Sequence, residues 1–284
     1  MKIGVSTYSF SHYITETRCD YFKVCDIARE IGFDAIDFIE LNSPSWGIEG
    51  DDIKMAKELA AYCKALGLEI SAYTVGANLL SDNIEAEVAR LMHCVDVAAE
   101  LGAPIMRHDV CGKLRSLPRY NYKDAIAEMV PHIRKVTEYA KSKGIRTCTE
   151  NHGYIFQVPE RVEELIRAVD NDNYGWLCDV GNFMCADVDP IKAVTIAAPY
   201  AFHVHAKDFL FKSGDSEMPE RFFRTAGDNY LRGTVLGHGV VPLDNCIRIL
   251  KKAGYNGTIC LEFEGMEENI PALKAGYSFL KKRI

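Results

Sequence analysis

The stretch KGIRTCTE, residues 143–150, contains the pattern that decides the fold. Gly144 follows a run with helical periodicity, and a glycine directly after a helix is the usual left-handed cap that ends it. The next residues, 145–150, form a β-rich run that ends in Glu150. The same passage from helix to strand recurs at four other glycines, which are Gly32, Gly67, Gly102 and Gly254. The first four glycines of this series lie about 35 to 42 residues apart, close to one β-α unit of a large barrel.

Extended along the chain, this pattern predicts eight strands, at residues 3–7, 35–41, 69–74, 104–108, 145–150, 175–179, 201–205 and 258–262. Apolar residues at helical spacing predict eight helices, at residues 20–31, 53–66, 84–98, 126–136, 159–169, 190–198, 242–253 and 266–280. Pro131 should kink its helix or delay its start. Alternating strands and helices predict one α/β domain over residues 1–284, a (β/α)8 TIM barrel. An open doubly wound sheet is the alternative, but the first strand lacks the glycine-rich fingerprint that such a sheet normally carries.

The connection after the seventh predicted strand is unusually long. Residues 209–241 have no clear periodicity and include His238 between two glycines. A loop of this length in a compact domain is usually a lid or a binding loop. We therefore expect an irregular segment that borders a functional site.

Composition and charge narrow the classes of function. The chain has 284 residues, 48% of them hydrophobic, and a formal net charge of -7 at pH 7. An acidic balance argues against a nucleic-acid surface, which needs a basic patch. We find no apolar stretch of the roughly 20 residues that span a bilayer, and no apolar region of a signal peptide. The cysteines are scattered without a C-x-x-C pair, which favours buried thiols in a reducing cytoplasm over a disulfide framework.

The fifth to eighth predicted strands each end in a side chain that can bind a metal. We call these the strand-end groups: Glu150, Asp179, His205 and Glu262. In a barrel the carboxyl ends of all strands meet at one mouth, where catalytic groups lie. Three carboxylates and one imidazole suit Mn²⁺, Mg²⁺ or Co²⁺ better than Zn²⁺, which favours thiolates. The alternative interpretation is that they are solvated charges where strands meet loops.

The order Glu, Asp, His, Glu on strands five to eight resembles the sugar phosphate isomerase/epimerase superfamily, the xylose-isomerase-like TIM barrels. The strings KIGVST (2–7), FDAID (33–37) and HVHAKD (203–208) are typical of that superfamily, and the resemblance covers essentially the whole chain. The chain is similar in particular to ketohexose 3-epimerases and to inosose isomerases and dehydratases. AP endonucleases share the superfamily, but their three metals and many more ligands do not fit this acidic chain.

The resemblance implies that the strand-end groups bind one divalent metal ion. Mn²⁺ is the first choice, with Mg²⁺, Co²⁺ or Zn²⁺ as alternatives. It also implies that Glu150 and Glu262 are the catalytic pair. They would remove and return a proton next to a metal-bound carbonyl, through an enediolate. Two departures from the 3-epimerases concern the substrate. Asn182 stands where those enzymes commonly have a histidine, and residues 209–211 (FLF) replace an arginine that follows their ligand histidine.

Six residues near strand ends are candidates for substrate contacts: Glu40, His108, His152, Asn182, Lys207 and His238. Plainer interpretations remain open, since His152 would otherwise be a loop histidine and Lys207 an ion-pair partner of Asp208 or of a neighbouring carboxylate. His203 faces inward below His205, as a core histidine or as a hydrogen-bond partner of a ligand. Aromatic side chains that would wall a sugar ring, or simply pack, are Tyr8, Phe10 and Trp46.

Three functions are consistent with these residues. The first is a divalent-metal-dependent isomerase or epimerase of a sugar, keto-sugar or keto-inositol. The second is a dehydratase on the same scaffold, which shares the first proton abstraction. The third is a sugar-binding barrel without catalysis. In each case we expect the protein to bind a small carbohydrate and neither a nucleic acid nor a membrane. We also expect a homodimer or homotetramer, because related barrels often form one.

Overall fold

The computed structural model describes residues 1–42 and 50–284, and a closed parallel barrel forms its centre. The strands described are β1 (Lys2–Ser6), β2 (Ala35–Ile39), β3 (Glu69–Val75), β4 (Ile105–His108), β5 (Arg146–Glu150), β6 (Tyr174–Asp179), β7 (Ala201–Ala206), β8 (Asp208–Lys212), β9 (Phe223–Arg224), β10 (Tyr230–Thr234) and β11 (Thr258–Leu261). Strands β1 to β7 and β11 form the barrel, in the order β1-β11-β7-β6-β5-β4-β3-β2, and all its pairs are parallel. The predicted (β/α)8 barrel is confirmed.

Helices alternate with the barrel strands, as the sequence predicts. Those described are α1 (Ser11–Thr17), α2 (Tyr21–Ile31), α3 (Asp52–Leu66), α4 (Ile84–Leu101), α5 (Tyr122–Ser142), α6 (Pro159–Val169), α7 (Pro190–Ala197), α8 (Leu243–Lys252) and α9 (Asn269–Lys281). The glycine at each of the five predicted helix ends has a positive φ, which confirms those boundaries. Helix α1 was not predicted, because only Ile14 of its residues is buried and it shows no apolar stripe.

Pro131 lies in the middle of α5, so the prediction that it delays the start of the helix is wrong. The helix begins nine residues earlier in the chain, at Tyr122, where Asn121 and Asp124 form a capping box. Pro131 and Ala127, whose carbonyl loses its hydrogen bond to the proline, are both exposed. Water can therefore satisfy that carbonyl, and the helix tolerates the proline.

The lower part of the barrel interior is filled by apolar side chains. Ala72, Ile105, Cys148 and Leu177 form a buried cluster, and Phe202 packs against it. The pairing of β6 with β7 skips Phe202, a bulge that re-aims this side chain. The barrel interior is thus packed with apolar side chains in this lower part.

The prediction that residues 209–241 are irregular is wrong. Strand β10 pairs with β8 and with β9 in a three-stranded antiparallel sheet. Phe209 and Phe223 pack edge to face with ring centroids 5.9 Å apart, which anchors the sheet. The sequence conceals this sheet because its strands are short and 17 residues separate β8 from β10.

Two of the predictions from sequence concern the cysteines and membrane-spanning helices. All ten cysteines are free thiols, as the absence of a disulfide framework predicted. Among α1 to α9, no helix is long and apolar enough to cross a membrane.

Candidate metal centre and its cavity

The strand-end groups come together at the carboxyl end of the barrel. Glu150 and Asp179 end β5 and β6, His205 lies near the end of β7, and Glu262 directly follows β11. One potential ligand atom from each of the four side chains lies within 4.8 Å of the others, and all four residues are buried. The sequence therefore identified a real cluster, and metal binding by it stays a prediction.

The hydrogen bonds around the cluster leave acceptor atoms that a cation would complement. Asp179 Oδ1 accepts hydrogen bonds from the backbone N–H of Gly181 and Asn182, at 2.8 and 2.9 Å. Its Oδ2 is buried without a hydrogen bond and has the Lys207 ammonium 3.5 Å away as an ion-pair partner. His205 Nδ1 is also buried without a partner and lies 3.4 Å from Glu262 Oε1. Buried polar atoms are rarely left without partners. A donor set of three carboxylates and one imidazole fits a divalent cation.

Asp37 is the group beneath this cluster that sequence reasoning missed. Its side chain is fully buried, and Oδ2 lies 2.7 Å from His205 Nε2 and 3.2 Å from His203 Nε2. Burial opposes ionisation of Asp37, but the positive charge and hydrogen bonds of the two histidines outweigh it and lower the pKa of Asp37. An ionised Asp37 holds a proton on His205 Nε2, so Nδ1 is the ring nitrogen that faces the strand-end groups and that a metal ion would take. Burial opposes the charge of His205, but Glu262 and Asp37 outweigh it and raise the pKa of His205 well above its usual range. His203 is thus a partner of Asp37.

Two cations balance the glutamates at the ends of β5 and β11. Arg107 faces inward, and its guanidinium lies 2.9 Å from Glu150 Oε2. The Lys207 ammonium lies 2.9 Å from Glu262 Oε2 and 3.3 Å from Glu264 Oε2. Burial raises the pKa of Glu150 despite Arg107. At Glu262 burial acts in the same direction, but Lys207 and His205 overcome it and lower the pKa well below its usual range.

Asn182 links these two halves of the site. It is buried, its Nδ2 donates to Glu150 Oε1 at 2.9 Å, and its Oδ1 accepts from Lys207 Nζ at 3.1 Å. The backbone carbonyl of Asn182 accepts from Gln157 at 3.2 Å, which holds this turn in place. The structure places Asn182 below the surface of the cavity, so it orients charged groups and does not line the space for a substrate.

A cavity of about 360 Å³ opens above the cluster. The residues that line it are Tyr8, Ile39, Glu40, Thr74, Val75, Gly76, Arg107, Asp109, Glu150, His152, Lys207, Glu262 and Glu264. Three predicted substrate contacts, Glu40, His152 and Lys207, are among them. His152 Nδ1 lies 3.4 Å from Asp109 Oδ2, and this hydrogen bond raises the pKa of His152. Asp179 and His205 lie below the lining, at the floor.

Two predicted substrate contacts lie elsewhere. His108 is fully buried and faces away from the barrel interior, because strand alternation turns Arg107 inward and His108 outward against Tyr174. His238 is exposed in a turn that does not line the cavity. Phe10 is a core residue at 0% exposure, whereas Trp46 lies outside the described residues.

Arg107, Asp109, Glu264 and Asp37 are site residues that the sequence did not assign. For the first three, the available signal was their position at or just past the end of a barrel strand. For Asp37 the signal was a carboxylate in the middle of the apolar run 35–39, since a buried charge needs a partner. Its partners are on β7, which is distant in sequence.

A model of the xylose isomerase-like TIM barrel family matches residues 25–283. The chain belongs to this family. A relative by sequence is the inosose dehydratase of Geobacillus thermodenitrificans (strain NG80-2), 22% identical over 209 residues, which make up 70% of this chain and 70% of the relative.

Solved structures show the same fold of the family. An L-ribulose 3-epimerase has a TM-score of 0.75 and 17% identity, and the match covers 99% of this chain and 93% of that one. The IOLI protein, crystallised with a zinc atom, has a TM-score of 0.75 and 16% identity, with 100% and 99% covered. Xylose isomerase-like barrels similar to this chain thus include a dehydratase and an epimerase, and the identities are low enough that the structural likeness shows the fold alone.

Proposed function

We propose that the protein is a divalent-metal-dependent isomerase or epimerase of a sugar, a keto-sugar or a keto-inositol. One observation carries the proposal. Glu150 and Glu262 belong to the buried four-donor cluster and also line the cavity above it. The same two carboxylates can therefore help to hold a cation and face a substrate.

The metal would be held by the strand-end groups, Glu150, Asp179, His205 and Glu262. When bound, a divalent ion supplies Lewis acidity that acidifies a C–H bond next to a carbonyl. Mn²⁺ is the first choice for this donor set, with Mg²⁺, Co²⁺ and Zn²⁺ as alternatives. His205 would coordinate through Nδ1, because Asp37 holds its other ring nitrogen.

The protein's own groups then move the proton. In the barrel β6 and β7 lie between β5 and β11, so Glu150 and Glu262 approach the cavity from different parts of its wall. One carboxylate can take a proton from carbon and the other can return one. Arg107 and Lys207, each 2.9 Å from its glutamate, limit the repulsion between the two carboxylates.

The remaining lining groups would bind and orient the substrate. Glu40 Oε1 accepts a hydrogen bond from the backbone N–H of Gly76 at 3.2 Å, which fixes its carboxylate at the edge of the cavity. His152 lies at the mouth with 54% of its side chain exposed. Both can pair with substrate hydroxyl groups. We also propose that residues 1–284 form one domain, whereas a cytoplasmic location and a dimer or tetramer stay predictions.

A dehydratase of a keto-inositol or keto-sugar is the second candidate, and the inosose dehydratase relative is the observation that favours it. Both candidates share the first proton abstraction. They differ in the fate of the intermediate, which takes a proton back on carbon in one case and in the other expels a hydroxyl group that leaves, with a proton, as water.

Proton exchange with solvent tests the proposal. Ketoses and keto-inositols are incubated in D₂O with the protein and Mn²⁺, and followed by NMR and mass spectrometry. Solvent deuterium in a product of unchanged formula supports isomerisation or epimerisation, and a product that has lost water supports dehydration. Glu262→Gln should abolish exchange, whereas the same change at the surface residue Glu58 should not. A complete absence of exchange would contradict both enzymatic candidates and leave a sugar-binding protein.

A further inference from the structure

Negative charge dominates the cavity. Five carboxylates line it, those of Glu40, Asp109, Glu150, Glu262 and Glu264, and Asp179 lies at its floor. Arg107 and Lys207 are the lining residues with a permanent positive charge among those the structure describes. Residues 43–49 (SPSWGIE), which lie outside the described residues, contain no lysine or arginine. Arg90 lies 3.5 Å from Glu40, so with a divalent ion at the floor the six carboxylates face five positive charges, two on the ion and one each on Arg107, Lys207 and Arg90, when His152 is neutral.

Arg107 is already engaged by the protein. One of its terminal nitrogens donates to the Val75 carbonyl at 3.0 Å and to Asp109 at 3.1 Å, and the other lies 2.9 Å from Glu150. Its Nε is buried against the protein, and only 12% of the side chain is exposed. Three of the five N–H groups of this guanidinium thus face protein acceptors, and a phosphate would meet it next to the carboxylates of Asp109 and Glu150.

Lys207 is engaged in the same way. Its ammonium donates to Asn182 Oδ1 at 3.1 Å and lies within 3.5 Å of Glu262, Glu264 and Asp179. Three protons thus face four acceptors, and 6% of the side chain is exposed. An anionic ligand at either cation would therefore meet the carboxylates that already surround it, and at Lys207 it would also have to displace an existing acceptor.

The loops where TIM barrels often bind phosphate, which follow the seventh and eighth barrel strands, carry carboxylates in this chain. After β7, the carboxylate of Asp208 accepts from the backbone N–H of Gly237 and Gly239 at 2.9 Å each and from Val241 at 3.1 Å. The N–H of His238 donates to the Val235 carbonyl. After β11 the chain carries four acidic residues, Glu262, Glu264, Glu267 and Glu268.

We infer that the substrate is an uncharged polyhydroxy carbonyl compound, and that the site rejects the corresponding phosphate esters and other anions. This inference rests on the proposed function and narrows its substrate class. Carboxylates accept hydrogen bonds from neutral hydroxyl groups without a charge penalty, whereas a phosphate would meet like charges. The glycine-flanked turn at residues 237–239 is closed by an internal carboxylate and is not an anion site.

The test compares matched ligands with the Mn²⁺-loaded protein. D-fructose, its 6-phosphate and its 6-O-methyl ether are assayed for binding by ligand-observed NMR and for C–H exchange in D₂O, as are D-ribulose and D-ribulose 5-phosphate. The ether controls for the bulk of the substituent. We expect a phosphate ester to bind at least about tenfold more weakly than its parent sugar and its neutral ether, because like charges at a binding site are strongly disfavoured.

Glu264→Gln tests in a second way whether the carboxylates around Lys207 exclude phosphate. It removes one carboxylate from Lys207, so the discrimination against phosphate should fall, while Glu58→Gln on the surface should leave it unchanged. A phosphate ester that binds or exchanges better than its parent overturns the inference, and so does a failure of all these sugars to bind. If the free sugars bind without exchange and the esters do not bind, the inference stands and the proposed reaction fails.

Discussion

Replacing Asp37 by asparagine tests how the barrel prepares His205 to bind a metal. The substitution keeps the shape of the side chain but removes the charge that faces His205 Nε2 at 2.7 Å and His203 Nε2 at 3.2 Å. The amide can also present an N–H₂ group to the histidines, which would favour a proton on His205 Nδ1. That atom must be free of a proton to act as a ligand.

The expected loss follows from the hydrogen bond that disappears. A hydrogen bond to a charged group contributes about 1.5 to 3 kcal/mol. If Asp37 no longer favours the proton on His205 Nε2, the Kd for a divalent ion should rise about tenfold to a hundredfold. This is the range found when a ligand histidine loses its carboxylate partner. His203→Gln is the matched control, because it leaves the bond between Asp37 and His205 in place. Its Kd should change by about threefold or less, since a weaker hydrogen bond is lost.

Isothermal titration of metal-stripped protein with Mn²⁺ measures the affinity, and ¹⁵N NMR of the histidines measures the tautomer without metal. Burial opposes the charge of His205, but Glu262 and Asp37 raise its pKa well above the usual range, so both ring nitrogens should carry a proton in the metal-free wild type. Asp37→Asn should lower this pKa and, in the neutral ring, shift the proton towards Nδ1. Circular dichroism and thermal melting check that the variant is folded. A folded Asp37→Asn with unchanged affinity and unchanged tautomer would refute this role of Asp37.

Three further substitutions examine packing and positioning. Leu177→Ala should lower the free energy of unfolding by about 2 to 5 kcal/mol in urea titrations, because it opens a cavity in the fully buried barrel interior. The control is Leu117→Ala, at a side chain that is 58% exposed, which should change the free energy of unfolding by about 0.5 kcal/mol or less. Asp208→Asn should raise hydrogen exchange in residues 237–241, since a carboxylate that accepts four backbone N–H groups is lost, and unchanged protection would contradict that role. Asn182→Ala should slow C–H exchange about tenfold or more by releasing Glu150 from a charge-assisted hydrogen bond, and a wild-type rate would show that this bond is dispensable.

The barrel and the strand-end groups were predictable because they depend on local signals. A glycine after each helix and a β-rich run after each glycine mark the repeat, and they do so without knowledge of tertiary contacts. Once the repeat is a barrel, residues such as Glu150 and Asp179 must meet at one mouth. Their convergence follows from topology.

The partners of those groups were harder to predict, because they depend on register and on contacts between distant segments. Whether His108 or Arg107 faces inward is decided by one step of strand alternation, which the sequence alone left open. Asp37 meets His205 across the barrel, 168 residues further along the chain. Asn182 was assigned to a substrate because of a comparison with other enzymes, but its hydrogen bonds join Glu150 and Lys207.

Metal stoichiometry tests the central claim most directly. Protein stripped with a chelator is titrated with Mn²⁺, Mg²⁺, Co²⁺ and Zn²⁺, and bound ions are counted by elemental analysis after dialysis. We expect one ion per chain, with binding strongly weakened in Asp179→Asn and unchanged in Asp172→Asn, a control at a side chain that is 85% exposed. The absence of saturable binding for all four ions, or equal binding by Asp179→Asn and the wild type, would contradict a metal centre formed by the strand-end groups.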